Sequence, residues 1–203
     1  MVSGIELVIA IDTSCSMETV FSKFVDSLED YSSTLEHRNV NFGLITFAES
    51  TAGFQIFTHR FNGREFTEKP MKVVEKLRKI DLSDHETETT PSLEALMMTR
   101  SLNWPSTTNP RVVMLITDSP PNFTGDDIGR VDTWLEPLKL DGLLIVTDTK
   151  NSVPRDQYLA LLNSNKNYDQ MYDINRPELS VFRRISSMGL ETVYYDPFEE
   201  ERP

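Results

Sequence analysis

The chain has one cysteine, Cys15, in 203 residues. An intramolecular disulfide is therefore excluded, and so is a thiolate zinc cluster. Its three histidines, His37, His59 and His85, lie far apart and lack the HExxH pairing of a zinc hydrolase. Glycine is scarce at eight residues. None of the patterns GxGxxG, GxxxxGK(S/T) or GxSxG occurs, which removes dinucleotide, P-loop and serine-hydrolase readings. No apolar run approaches the length of a membrane span, so membrane insertion is not expected. The N-terminus lacks a basic region followed by a small-residue cleavage site. A cytoplasmic setting is the expectation, or an extracellular one if the chain is a domain excised from a longer protein. Basic residues are also in deficit: 20 against 32 acidic ones give a net charge of −12. Like charge repels, so nucleic acid and anionic membranes are poor partners, whereas cations and basic proteins are not.

What is present suffices for a packed core, with 11 Phe, 6 Tyr and 2 Trp in a chain that is 38% hydrophobic. The length fits one domain over 1–203, with a core of about 5–196 and a short acidic tail at 197–203. Ile5 to Ile11 is a short, nearly continuous apolar run, as a strand buried on both faces requires. Thr19 to Leu35 has apolar residues at helical spacing. Asn39 to Phe47, Arg111 to Thr117 and Gly142 to Thr147 read as further core strands. Phe54 to Phe61 reads as a hairpin edge, and Glu191 to Tyr195 as a last strand. Helices are predicted over Met71–Ile80, Ser92–Ser101, Asp126–Leu138, Pro154–Leu162 and Pro177–Met188. Asn163 to Asp173 reads as a surface excursion. This alternation predicts an α/β fold, doubly wound and Rossmann-like, with a mainly parallel central sheet, helices on both faces and one antiparallel edge strand.

Sites in such folds form beyond the carboxyl ends of the strands. After the first strand come Asp12, Ser14 and Ser16, at alternating positions that an extended backbone aims the same way. After the third core strand comes Asp118. A loop bearing Thr87 and Thr90 precedes the helix between them. These are hard oxygen donors, suited to Mg²⁺, Mn²⁺ or Ca²⁺ rather than zinc.

The string Ile11-Asp12-Thr-Ser14-Cys-Ser16-Met17 resembles the DxSxS metal-ion-dependent adhesion site of von Willebrand factor A domains. Thr90-Pro-Ser-Leu-Glu-Ala-Leu96 is similar to that family's threonine loop, and Ile116-Thr117-Asp118 to its strand-ending aspartate. The resemblance implies a Mg²⁺ site in which Ser14 and Ser16 bind the ion directly. Thr90 would bind directly or through water, and Asp12 and Asp118 largely through water. Thr87 fits another family spacing and is the alternative to Thr90. The rim that meets a partner would be Cys15, Met17, Glu88, Ser119, Pro120 and Asn122. Cys15 and Ser119 stand where the family often has glycine. Thr19 and Val20 replace the acidic pair of a neighbouring regulatory ion, so no second ion is expected. The implied function is non-enzymatic: a protein partner presents an exposed Glu or Asp to the ion. Two rivals are a scaffold subunit that uses metal-independent surfaces, and a Mg²⁺-dependent hydrolase, for which the loops offer few general bases.

Overall fold

The computed structural model describes residues 4–50, 53–83, 89–122, 133, 135–136, 139–164, 170–175, 182 and 185. Strand β1 (Ile5–Asp12) is buried at all eight positions, as its unbroken apolar composition requires. It sits inside a seven-stranded sheet with β2 (Val40–Ser50), β3 (Gly53–Thr58), β4 (Phe66–Thr67), β5 (Arg111–Ile116), β6 (Gly142–Thr147) and β7 (Gln170–Asp173). The order is β3-β2-β1-β5-β6-β7, with β4 paired to β2. The pairs β2–β1, β1–β5, β5–β6 and β6–β7 are parallel, while β3 and β4 run antiparallel to β2. The expected α/β Rossmann-like architecture is the observed one.

Alternation along β1 sends its side chains into two separate cores. Ile5, Leu7, Ile9 and Ile11 join one, with Phe21, Phe24, Val25 and Leu28 of α1 (Glu18–Asp30) and Val73, Val74 and Leu77 of α2 (Pro70–Leu77). Val8 and Ala10 join the other, with Leu93, Ala95 and Leu96 of α3 (Ser92–Met98) and Tyr158, Leu161 and Leu162 of α4 (Ser152–Ser164). Helices thus cover both faces. A short helix, Ser32–His37, continues from α1 after a break at Tyr31. The sequence pattern predicts one helix here; the weak helix propensities of Ser32, Ser33 and Thr34 fit the interruption.

Two further expectations change. Asn163–Asp173 is not wholly a surface excursion, because Gln170–Asp173 pairs in parallel with Leu144–Thr147. Its Asn- and Tyr-rich surroundings hide a strand whose backbone partners come from β6. Strand β4 is two residues long, too short for any period to show. The predicted strand at 191–195, the acidic tail and most of the helices at 126–138 and 177–188 lie outside the described residues. Of the latter helix, Phe182 and Ile185 are buried in the α1-side core, and Phe182 packs on the rings of Phe24 and Tyr31. Among the described residues no helix is long and apolar enough to cross a membrane.

Candidate metal centre

Strands β1 and β5 run side by side with Ile11 opposite Ile116. Their next residues, Asp12 and Thr117, therefore emerge together at the carboxyl edge of the sheet. The Thr117 hydroxyl donates to Asp12 Oδ2 at 2.7 Å. The Ser14 backbone N–H donates to Asp12 Oδ1 at 2.9 Å, a turn that Asp favours through its short side chain. Each oxygen of this fully buried carboxyl thus has a donor. Burial pushes the Asp12 pKa up; the donors at Ser14 and Thr117 oppose that, with a weaker contribution from Thr90.

The loop after β1 is pinned from both sides. Thr13 N–H donates to Phe47 O at 2.8 Å, and Ser83 N–H donates to Thr13 O at 2.7 Å. A single 3₁₀ turn, Cys15–Met17, then leads into α1. This places Ser14 Oγ 3.1 Å from Ser16 Oγ. Ser16 Oγ in turn donates to Asp118 Oδ1 at 3.0 Å. Ser119 Oγ donates to the same oxygen at 2.9 Å. The threonine loop closes the site: Thr90 N–H donates to Pro120 O at 3.0 Å, and Asn122 N–H donates to Thr90 O at 3.1 Å. Asp12, Ser14, Ser16, Thr90 and Asp118 are accordingly gathered from three loops at one end of the sheet.

One atom lacks a place in this network. Thr90 Oγ1 is buried and makes no hydrogen bond of normal geometry, only a weak interaction with the Asp12 carboxyl. An orphaned buried hydroxyl costs roughly 1–3 kcal/mol, and a ligand that coordinates it would remove that cost. Among the described residues no group of three His, Cys, Asp or Glu could hold a metal ion. A cation at this site must therefore draw on hydroxyl oxygens as well as the two carboxylates. Such a set suits a hard divalent ion, and the residues present fit one.

The sequence model described as von Willebrand factor type A domain matches residues 6–183. The chain belongs to this family. Two solved structures show the same fold. One, described as the conserved hypothetical protein BatB from Bacteroides thetaiotaomicron, superposes with a TM-score of 0.61 at 17% identity and covers 93% of this chain and 98% of its own. The other is the pilus adhesin SpaC from Lactobacillus rhamnosus GG in an open conformation, with a TM-score of 0.60 at 14% identity. It covers 94% of this chain, which spans only 30% of SpaC. No curated protein matches the chain by sequence.

In this type A domain the expected rim is partly corrected. Met17 is fully buried and packs in the α1-side core, because the 3₁₀ turn directs it inward as the apolar entry to α1. Cys15, Ser119 and Pro120 are half-buried, and Asn122 is exposed. Thr87 and Glu88 lie outside the described residues. Sequence reasoning missed two groups that hold the site together. Thr117 was visible only as part of a motif string, without a role. Tyr158 gave no signal, since an aromatic on the buried face of a helix reads as packing. Its hydroxyl nevertheless donates toward Ser92 Oγ at 2.9 Å and Ser119 O at 3.1 Å, tying α4 to the threonine helix and to the Asp118 loop. Burial pushes the Tyr158 hydroxyl far above its ordinary range, so it stays a donor at every relevant pH.

Proposed function

We propose that this type A domain is a non-enzymatic protein-binding module that takes Mg²⁺ at the site and, through it, a carboxylate from a partner protein. The observation that carries the reading is the buried Thr90 Oγ1, which lacks a hydrogen bond of normal geometry and interacts weakly with Asp12, beside the linked hydroxyls and carboxylate of Ser14, Ser16 and Asp118. The hydroxyls of Ser14, Ser16 and Thr90 would hold the ion directly. Asp12 and Asp118 would hold it mainly through water, with Thr117 fixing the Asp12 carboxyl. When bound, the ion supplies an electrophilic position for a partner's Glu or Asp. With few carboxylates in direct contact it keeps most of its positive charge, which favours an anionic ligand. The protein's part is to orient donors, not to move protons. Family membership agrees with a binding role, as does the likeness in fold to a pilus adhesin.

Calorimetric titration with Mg²⁺ tests the site. The native chain should bind saturably, and Thr90→Val should bind about tenfold more weakly or worse. The same variant should be at least as stable as native in EDTA, because it removes an orphaned hydroxyl. Native affinity in Thr90→Val sinks the assignment. For the function, protein captured from source-cell extract with Mg²⁺ should be lost in EDTA. Capture that survives chelation favours the scaffold reading.

A further inference from the structure

The opposite pole of the domain carries a different recognition feature. A groove of about 840 Å³ opens there, beside the pairing of β4 with Phe42 and Gly43 of β2. Those residues precede Phe47, the register neighbour of Asp12, by roughly 15 Å of strand. Arg60, Arg64, Lys69 and Lys72 line the groove, together with Glu65 and Glu68. Four cations and two carboxylates leave it at +2, so the remainder of a −12 chain carries −14.

Three observations set this apart from a solvated surface. Among the described residues none of the four cations is in an ion pair, although the chain has an excess of acids. One oxygen of Glu65, Oε2, is turned to Asn103, accepting from its backbone N–H at 2.7 Å and from Nδ2 at 3.0 Å. The wall is also preorganised. Phe61 and Arg64 exchange backbone hydrogen bonds of 2.7 and 3.2 Å across Asn62 and Gly63, whose φ angles are +53° and +85°. That is the Asn-Gly tight turn that holds two strands in fixed register. It fixes the backbone from which the Arg60 and Arg64 side chains project on either side of the turn. Phe66, at the floor, packs on Trp104 at 5.4 Å between centroids. Neighbouring cations without counter-charges repel each other, and a bound anion offsets that cost.

We propose that this groove binds an acidic segment of a partner protein, a short run of Asp and Glu side chains, independently of the metal centre. A long polyanion such as nucleic acid fits less well, because beyond the groove it meets a surface of the same sign. A short carboxylate segment spans the positive region alone.

Fluorescence anisotropy with a labelled poly-glutamate peptide tests this. The peptide should bind saturably at low salt and weaken steeply as salt rises. The double variant Arg64→Glu, Lys69→Glu, both exposed positions, should bind at least tenfold more weakly with an unchanged melting temperature. Lys79→Glu, exposed and outside the groove, should bind as native does. The titrations are run in EDTA, without Mg²⁺, so that no ion can capture the peptide; Asp12→Ala should then bind as native does, which separates this site from the metal reading. The proposal is overturned by non-saturable binding, by an equal loss in Lys79→Glu, by tighter binding of oligo-dT than of the peptide, or by full competition from millimolar inorganic phosphate. If the double variant melts early, the single Arg64→Gln, at the exposed turn, replaces it and should show a several-fold loss.

Discussion

Strand β1 buries two carboxylates on the same face, Glu6 near its start and Asp12 at its end, and it treats them in opposite ways. Both are fully buried, and both have pKa values pushed up chiefly by burial. Asp12 has a donor for each oxygen. Glu6 has a hydrogen bond of normal geometry to neither, only a weak interaction with the Ser106 backbone. Its nearest cation, Arg111 Nε, is 4.0 Å away, and the Arg111 guanidinium is committed to Ser106 O at 3.0 Å and to the Trp104 ring. The Ser106 backbone and the Arg111 charge oppose the burial effect without cancelling it. Burial of a carboxyl is thus not what makes a site. At the carboxyl edge three loops converge with free N–H and O–H donors, so a charge there is solvated by protein. At the amino edge the carboxyl is enclosed by neighbouring strands and meets few donors.

Neutralising each carboxyl without changing its shape is the sharpest way to break the comparison. The largest effect is expected from Asp12→Asn. Mg²⁺ affinity should fall by about a hundredfold, read as loss of the Mg²⁺-dependent rise in melting temperature. An undiminished rise would mean that Asp12 is as idle as Glu6. Next comes Tyr158→Phe, which removes the hydroxyl shared by Ser92 and Ser119. Chemical denaturation should show a loss of about 1–2 kcal/mol, with Mg²⁺ affinity weakened roughly tenfold because the threonine and Asp118 loops lose a common anchor. A loss of stability with native affinity would reduce Tyr158 to packing.

The smallest effect belongs to Glu6→Gln. Its raised pKa means that folding favours the neutral acid. The resulting destabilisation is absent below the ordinary value of 4.5, grows as pH rises to the folded pKa, and is constant above it. The variant should therefore gain about 1 kcal/mol at pH 7 and nothing at pH 4. Metal affinity should not move. A loss of stability at pH 7 would show that the Arg111 pair outweighs desolvation.

Much of the fold was legible because it rests on local signals. The runs at Ile5–Ile11, Arg111–Thr117 and Gly142–Thr147 are long and apolar enough to be buried strands wherever they sit. Their alternation with amphipathic helices leaves few topologies other than a doubly wound sheet. Strand β7 escaped because its pairing is with β6 and not within its own composition. In the site, the oxygen donors were legible, since each follows a recognisable strand or precedes a recognisable helix. Met17 was misplaced because the sequence shows a position next to the loop but not the direction of a 3₁₀ turn.

The sequence by itself determined the strand that carries Asp12, the spacing of Ser14 and Ser16 behind it, and the hard-oxygen character of the donors. These depend on neighbours a few residues apart. Only the tertiary structure decided that Thr117, 105 residues from Asp12, holds its carboxyl, that Tyr158 anchors two loops at once, and that Thr90 Oγ1 is buried without a hydrogen bond of normal geometry. It also decided that Glu6 is stranded at one end of β1 while four cations gather at the same pole of a strongly acidic chain. The physical reason is the same throughout. A hydrogen bond or a charge contact depends on distance in space, and the sheet brings together residues whose separation along the chain carries no record of the meeting.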